Sequence, residues 1–448
     1  MNYERTIVSL AEAKKYASLR DFLATLNPAD IAEAFSALSD QTLPLVFRLL
    51  PRDLAAEVFV EMETEQQETL IRGFSDVELK AVIDELYVDD AVDLVEEMPA
   101  NVVSRILSQA DPDTRKAINE LLKYPEDSAG SVMTTELVEL QGSMTAAQAI
   151  QHIRRVAADK ETINTCYITD DTHHLLGVVS IGALILAGRD TLCRSLMTDN
   201  VVSVHTLEDQ ETVAKMLSKY DFNALPVVDG DGRLVGIVTM DDAMDILEAE
   251  ATEDMEIMAA MSPSEKPYLN TGTFTIWKQR IPWLMILMIA ASLSGWILSC
   301  YEDVLLRWSM LIAYIPMLMD TAGNSGSQAS VTVVRGLSLG EIEFRDVLKV
   351  LWKELRVAFL CGITLAAVCF AKLYFLDGLE ALTAGVICLT LVLTVMIAKL
   401  VGSGIPLLAH KLGMDPALLS SPFITTISDI LTLLLYLSTS AALLNAAL

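Results

Sequence analysis

Asp429 lies inside the apolar stretch SSPFITTISDILTLLLYL, preceded by Ser421, Thr425 and Ser428 at successive spacings of four, three and one. On a helix these positions form one polar stripe. A charged side chain at bilayer depth costs at least a few kcal/mol unless it meets a partner or a wet cavity. Lys399 is the nearest basic residue in the apolar segments, and pairing with it is the bland alternative to an ion-handling role. A second stretch, IPMLMDTAGNSGSQAS from Ile315, begins as an apolar helix and then fills with a carboxylate (Asp320), an amide, hydroxyls and glycines. Pro316 can free backbone carbonyls, and Gly323 and Gly326 permit an irregular turn, so non-helical backbone lining water is expected there. Asp429 facing Asn324 and Gln328 would present oxygens and no soft ligands, a donor set that suits Mg²⁺, Ca²⁺ or Mn²⁺. One carboxylate per chain is too little to strip water from a small divalent ion, so a hydrated ion held by carbonyls, amides and one or two carboxylates is expected. A two-fold dimer would bring two copies of Asp429 to a shared axis.

The other acids are numerous. Formal net charge is −28 over 448 residues, and nearly all of the excess lies before residue 275. Such a surface excludes nucleic acid and anionic lipid as partners of the soluble half, and makes cations its natural counter-charge. Within MDDAMDILEAEATEDMEIM, Asp242, Asp245, Glu250, Glu253 and Asp254 share one helix face at i+3 and i+4 spacing, where like charges repel by a few tenths of a kcal/mol per pair. Something should neutralise them. The six cysteines contain no CxxC pair and the five histidines no HExxH spacing, so neither a disulfide framework nor a zinc site is expected. The adjoining His173 and His174 fall in a turn-like stretch that fits a solvated loop.

These residues need elements to place them. Residues 1–128 show helical periodicity in loosely repeated units, NPADIAEAFSAL, LPRDLAAEVFVEM and YVDDAVDLVEEM, which predict stacked helices in a short superhelix. Residues 129–194 and 195–247 are a duplication. SVMT answers SLMT, and CYITDDTHHLLGVVSIGALI answers LPVVDGDGRLVGIVTMDDAM. Each copy predicts a strand, a helix, two strands joined by a turn, and a further helix, and resembles one of a tandem pair of cystathionine-β-synthase (CBS) domains. An acidic connecting helix is expected over 248–274. Residues 275–448 then hold five expected spans, at 281–299, 304–322, 357–376, 381–409 and 418–444. The basic connection with Arg335, Arg345, Lys349, Lys353 and Arg356, together with Lys278, Arg280 and His410-Lys411, puts the N-terminus in the cytoplasm and the C-terminus outside. The polar opening MNYERTIVSL agrees with a cytoplasmic N-terminus.

The full order resembles the MgtE family of magnesium channels. The matching stretches are YPEDSAGSVMT, YDFNALPVVD, LVGIVT, LEAEATEDM, GNSGSQAS and DPALLSSPF through Asp429. The resemblance implies a multi-pass protein of the plasma membrane: an all-α superhelical N-domain, tandem α+β CBS domains, an acidic connecting (plug) helix and a five-helix transmembrane domain. It implies a homodimer in the lipid bilayer whose pore holds Mg²⁺ near Asp429, Thr425 and Asn324, with Gln328 beside them. It further implies that cytosolic Mg²⁺ closes the pore by bridging Asp89, Asp93, Asp209, Glu211, Asp221, Asp242, Asp245, Glu250, Glu253 and Asp254. ATP is implied near Phe222 and Tyr167, although Ala183 stands where the family commonly has an Asp that can hold a ribose. Ala322 stands where a double glycine is usual, and Asp320 ranks below Asn324 because it is less general in the family. The alternatives are a CBS-regulated transporter of another divalent cation or an anion, or a membrane-embedded aspartyl enzyme. A CBS-regulated dehydrogenase is excluded by the five spans and the missing barrel.

Overall fold

The computed structural model describes residues 3–264, 268–269, 271–419 and 421–446. Parts of the expected connecting helix (265–267 and 270), Ser420 of the expected last span and residues 447–448 lie outside that set. The chain forms two compact units, Met1–Glu248 and Ala249–Leu448.

The first unit opens with ten short helices among its described residues: Tyr3–Glu12 (α1), Tyr16–Leu23 (α2), Pro28–Phe35 (α3), Leu43–Phe47 (α4), Arg52–Val60 (α5), Thr64–Gly73 (α6), Asp76–Ile83 (α7), Val88–Glu97 (α8), Ala100–Gln109 (α9) and Pro112–Leu121 (α10). Proline in the first turn of α3, α4 and α10 and a reciprocal Ser75–Glu78 capping box on α7 fix where helices begin. Helices pack on their second neighbours, α1 on α3, α3 on α5, α5 on α7 and α7 on α9, which is the superhelix that the repeats predict. Arg105 of α9 donates to the carbonyls of Ile71 and Phe74 at 2.6 Å each, satisfying the end of α6.

The two CBS domains follow. The first holds Glu139–Gln141 (β1), Ala146–Val156 (α11), Thr165–Thr169 (β2), Leu175–Ser180 (β3) and Ile181–Leu186 (α12). After the short Cys193–Leu196 (α13), the second holds Val204–His205 (β4), Gln210–Tyr220 (α14), Ala224–Val228 (β5), Leu234–Thr239 (β6) and Met240–Met258 (α15). In each sheet the first strand runs parallel to the second and the second antiparallel to the third. The duplicated motifs are exchanged: Thr134 of SVMT bridges Ile237 in the second sheet, and Thr198 of SLMT bridges Val178 in the first. Met133 and Met197 then press on Gly236 and Gly177, where a Cβ would lie 2.6 and 2.8 Å from the sulfur. The repeated glycine therefore admits the other copy's methionine. The acidic helix begins earlier and ends earlier than the expected 248–274: it follows directly on β6, where the Thr239 hydroxyl bonds the Asp242 carboxylate, and the chain turns at Ala260 with φ 54°.

The second unit is helical: Thr273–Cys300 (α16), Glu302–Arg307 (α17), Ile315–Ser338 (α18), Val347–Ala371 (α19), Ala381–Lys411 (α20) and Ser421–Ala446 (α21). Four segments among the described residues are long and apolar enough to cross a bilayer: Thr273–Cys300, Phe344–Leu376, Ala381–Lys411 and Pro416–Leu444. The expected span over 304–322 is not one helix. It divides into α17, a 3-10 stretch at Ser309–Tyr314 and the start of α18. The 24 residues of α18 would reach about 36 Å, enough to cross, but their polar content keeps it apart from the apolar four.

The irregular turn expected around Gly323 and Gly326 is absent, and α18 is continuous through both. Pro316 sits in its first turn, where the missing N–H has no helical partner to lose. The glycines instead serve helix packing. A Cβ on Gly402 of α20 would stand 2.1 Å from the carbonyl oxygen of Gly326, and one on Gly323 2.8 Å from Thr425. Gly402→Ala is therefore expected to push α18 and α20 apart and to destabilise the membrane unit by about 1–3 kcal/mol, the range for overpacking. Gly385→Ala in the same helix meets nothing within 4 Å and should be neutral. Thermal melting of the two variants in detergent measures the difference.

Candidate ion path and acidic cluster

The path is built on α18 and α21, which pack together and against α20. One face of α18, with Ala322, Gly323, Ser325, Gly326, Ala329 and Ser330, is buried. The other exposes Asp320, Asn324, Gln328 and Thr332, four residues apart each time and so in one line. Asn324 Nδ2 donates to Asp320 Oδ2 at 3.1 Å. Across from them, Ser421 Oγ donates to Ser327 Oγ at 2.8 Å, and Ser327 lies 3.4 Å from Thr425 Oγ1. Asp429 is half-buried, and its Oδ1 is enclosed without a hydrogen-bond partner. Asp320 is near enough for the two charges to act on each other.

Lys399 does not pair with Asp429. It is buried in α20 with its Nζ 3.9 Å from Glu354 Oε2 of α19. The sequence expectation for Asp429, Asn324, Thr425 and Gln328 thus falls on two packed helices, and Asp320, ranked lower from sequence, joins them through Asn324.

In the first unit Asp89, Asp90 and Asp93 of α8 gather with Glu136, Glu161, Asp241 and Asp242. The Glu161 amide donates to the Glu136 carbonyl at 2.9 Å, which holds two loops side by side. Thr239 Oγ1 donates to Asp242 Oδ2 at 2.5 Å. One oxygen of Asp89 is enclosed without a partner. Burial first, then the neighbouring acids, pushes Asp89 up to about 9, Asp93 and Glu161 to about 7 and Asp90 to about 6. Asp242 is raised by the same causes. No three His, Cys, Asp or Glu side chains among the described residues close on a point as a preformed metal site. The cluster is an open gathering of oxygens, which fits a divalent ion that keeps its waters rather than a dehydrated one.

Asp90, Glu136, Glu161 and Asp241 were not anticipated. Asp90 and Asp241 adjoin expected residues, whereas Glu136 and Glu161 sit in loops and carry no local signal. Apart from Asp245, at the edge of the cluster, the remaining expected ligands lie elsewhere. Asp209 caps α14 by accepting from the Glu211 amide, Glu211 pairs with Lys215 at 2.5 Å, and Asp221 closes α14 in the left-handed region at φ 54°. Asp245 is exposed beside Asp241 and Glu248. Glu250, Glu253 and Asp254 lie on the later turns of α15. Tyr167 is fully buried with its hydroxyl unpartnered, and Phe222 stacks on Tyr220 at 5.4 Å. His173 and His174 pair with Glu139 and Asp170 at 2.8 and 3.1 Å.

The raised carboxyls set a pH dependence. Each binds its proton more tightly folded than unfolded, where carboxyls titrate near 4. Their contribution to stability is complete below about pH 4 and is lost as pH rises through the folded values of about 6, 7 and 9. Melting of the soluble unit within the full chain, in chelator, should fall between pH 5.5 and 8.5, and Mg²⁺ should flatten that fall. A melting temperature that rises over this window contradicts the cluster.

A helical N-domain, tandem CBS domains and membrane-length helices with one carboxylate-bearing polar face define a multi-pass membrane protein with regulatory domains. Family models agree along the chain: the MgtE divalent cation transporter model matches residues 315–439, the MgtE intracellular N domain 26–127, and the CBS domain 129–190 and 193–249. The chain is 38% identical to the magnesium transporter MgtE of Thermus thermophilus over 99% of both chains, and 32% identical to that of Bacillus subtilis over 100% of this chain and 99% of the other. It belongs to the MgtE family. Its soluble unit is similar to a crystal structure of the cytosolic domain of the Mg²⁺ channel MgtE in complex with ATP, with a TM-score of 0.51 and 37% identity, covering 54% of this chain and 99% of that one. It is also similar to the soluble part of a magnesium transporter, with a TM-score of 0.52 and 30% identity, covering 55% and 98%.

Proposed function

We propose that this chain moves Mg²⁺ across the membrane through a pore shared by two copies, and that cytosolic Mg²⁺ closes it. The observation that carries the reading is the line Asp320–Asn324–Gln328, exposed on a membrane-length helix beside an Asp429 oxygen with no partner. Hydrocarbon cannot cover such a line at tolerable cost, so it faces water or a second copy. A two-fold axis beside α18 and α21 does both, doubling the carboxylates around one hydrated ion. Asp429, Asn324, Thr425 and Gln328 are its first contacts, with Asp320 a further carboxylate at the same level. With α18 counted among the crossings there are five, which puts the C-terminus outside.

The regulatory ions take Asp89, Asp93 and Asp242, with Asp90, Glu136, Glu161 and Asp241 around them. Further ions bind Asp209, Glu211, Asp221, Asp245, Glu250, Glu253 and Asp254. Bound cations cancel the repulsion among clustered acids and favour the closed arrangement, which is the differential affinity a switch requires. ATP in the CBS pair, near Phe222 and Tyr167, is proposed from the ATP-bound relative. The test is Mg²⁺ entry into vesicles holding the purified chain, followed with an enclosed Mg²⁺ dye. Entry no faster than in empty vesicles overturns the reading.

A further inference from the structure

An apolar groove of about 430 Å³ opens on the membrane unit, between Trp352, Leu355, Arg356, Phe359 and Leu360 of α19 and Met396 of α20. Trp352, Phe359 and Leu360 are 60, 50 and 67% exposed. The groove starts where the apolar run 357–371 ends, so its mouth lies at the bilayer surface on the side of the basic connection. Lys349, Lys353 and Arg356 follow one another at i, i+4 and i+7 on the same exposed face. Lys349 is neutralised by Asp346 at 2.7 Å. Glu354, which lies between the other two in sequence but on a different face of α19, turns inward to buried Lys399. Lys353 and Arg356 have no carboxylate within ion-pair distance among the described residues, and the Arg356 guanidinium lies 6.0 Å over the Trp352 ring.

From this we infer that the groove holds an anionic phospholipid of that leaflet, its phosphate on Arg356 and Lys353 and an acyl chain along Phe359, Leu360 and Met396. Charge complementarity picks the headgroup: two unneutralised cations in a chain of net charge −28 draw a lipid that carries net charge over a zwitterionic one. The apolar floor picks a lipid over free phosphate, which would leave that surface uncovered. The inference does not depend on the ion carried.

The experiment is native mass spectrometry of the full chain in neutral detergent, with phosphatidylglycerol or phosphatidylcholine of identical acyl chains added. Phosphatidylglycerol should be retained in preference. That preference should fall roughly fivefold for each charge removed in Lys353→Gln and Arg356→Gln, and Arg356→Lys should keep most of it. A second measurement needs no charge variant: brominated phosphatidylglycerol should quench a tryptophan signal that Trp352→Phe removes. Equal retention of both lipids, retention unchanged in the double glutamine variant, or displacement of the lipid by glycerol phosphate alone would overturn the inference. So would a shift from dimer to monomer in the double variant, which would assign the groove to a second copy of the chain.

Discussion

Asp429→Ala should lower Mg²⁺ flux by at least tenfold and at the same time raise the melting temperature of the membrane unit. The two effects share one cause. A buried carboxylate oxygen without a hydrogen-bond partner costs about 1–3 kcal/mol, and Lys399, committed to Glu354, does not relieve it. Removing it stabilises the helices but takes away the charge that holds the ion; in a dimer both copies go together. Asp429→Glu should keep part of the flux, because the hydrated ion tolerates a displaced oxygen better than a missing one. Asp320→Asn should lose less, since Asp320 is exposed and already shared with Asn324. A structural Asp429 would give the opposite pattern, a lower melting temperature with flux per folded protein unchanged. Mg²⁺ dye flux and melting of the same preparations separate the two.

Combined Asp89→Asn, Asp93→Asn and Asp242→Asn should leave flux at low Mg²⁺ intact and largely abolish its inhibition at high Mg²⁺. Moving a two-state equilibrium from 1:99 to 99:1 takes about 5.5 kcal/mol of differential binding, more than a hydrated ion gains from one carboxylate. Any single substitution should therefore shift only the Mg²⁺ concentration needed for closure. The triple variant removes three of the carboxyls whose proton affinity the cluster raises. Without that repulsion its soluble unit should resist protease even in chelator, where the unmodified chain is expected to be cut. Protease sensitivity with and without Mg²⁺ checks this apart from transport.

Much of the fold was legible because it is local or repeated. SVMT and SLMT, with the two hairpin motifs, gave the CBS pair its strand order, and the exchange of Met133 and Met197 onto Gly236 and Gly177 explains why those motifs repeat. Apolar length alone marked α16, α19, α20 and α21. The helix α18 was misread, since glycine and proline signal a turn in a sequence but serve equally at a packing face or in a first turn. Which applied depended on Gly402 of α20, distant along the chain. The site divided in the same way. Asp429 announced itself by its apolar surroundings and Asp242 by helical spacing, Asp89 and Asp93 came only with the family resemblance, and Glu136 and Glu161 join the cluster only through the folding of two loops.

The most direct measurement is Mg²⁺ entry into vesicles containing the full chain with its soluble unit facing outward, at low and at high outer Mg²⁺. The expected result is rapid entry at low Mg²⁺, with conductance per unit driving force falling steeply as outer Mg²⁺ rises, and with entry in either condition lost in Asp429→Ala. Entry that persists in Asp429→Ala, or conductance that does not fall as Mg²⁺ rises, would contradict a pore at α18 and α21 closed by its own ion.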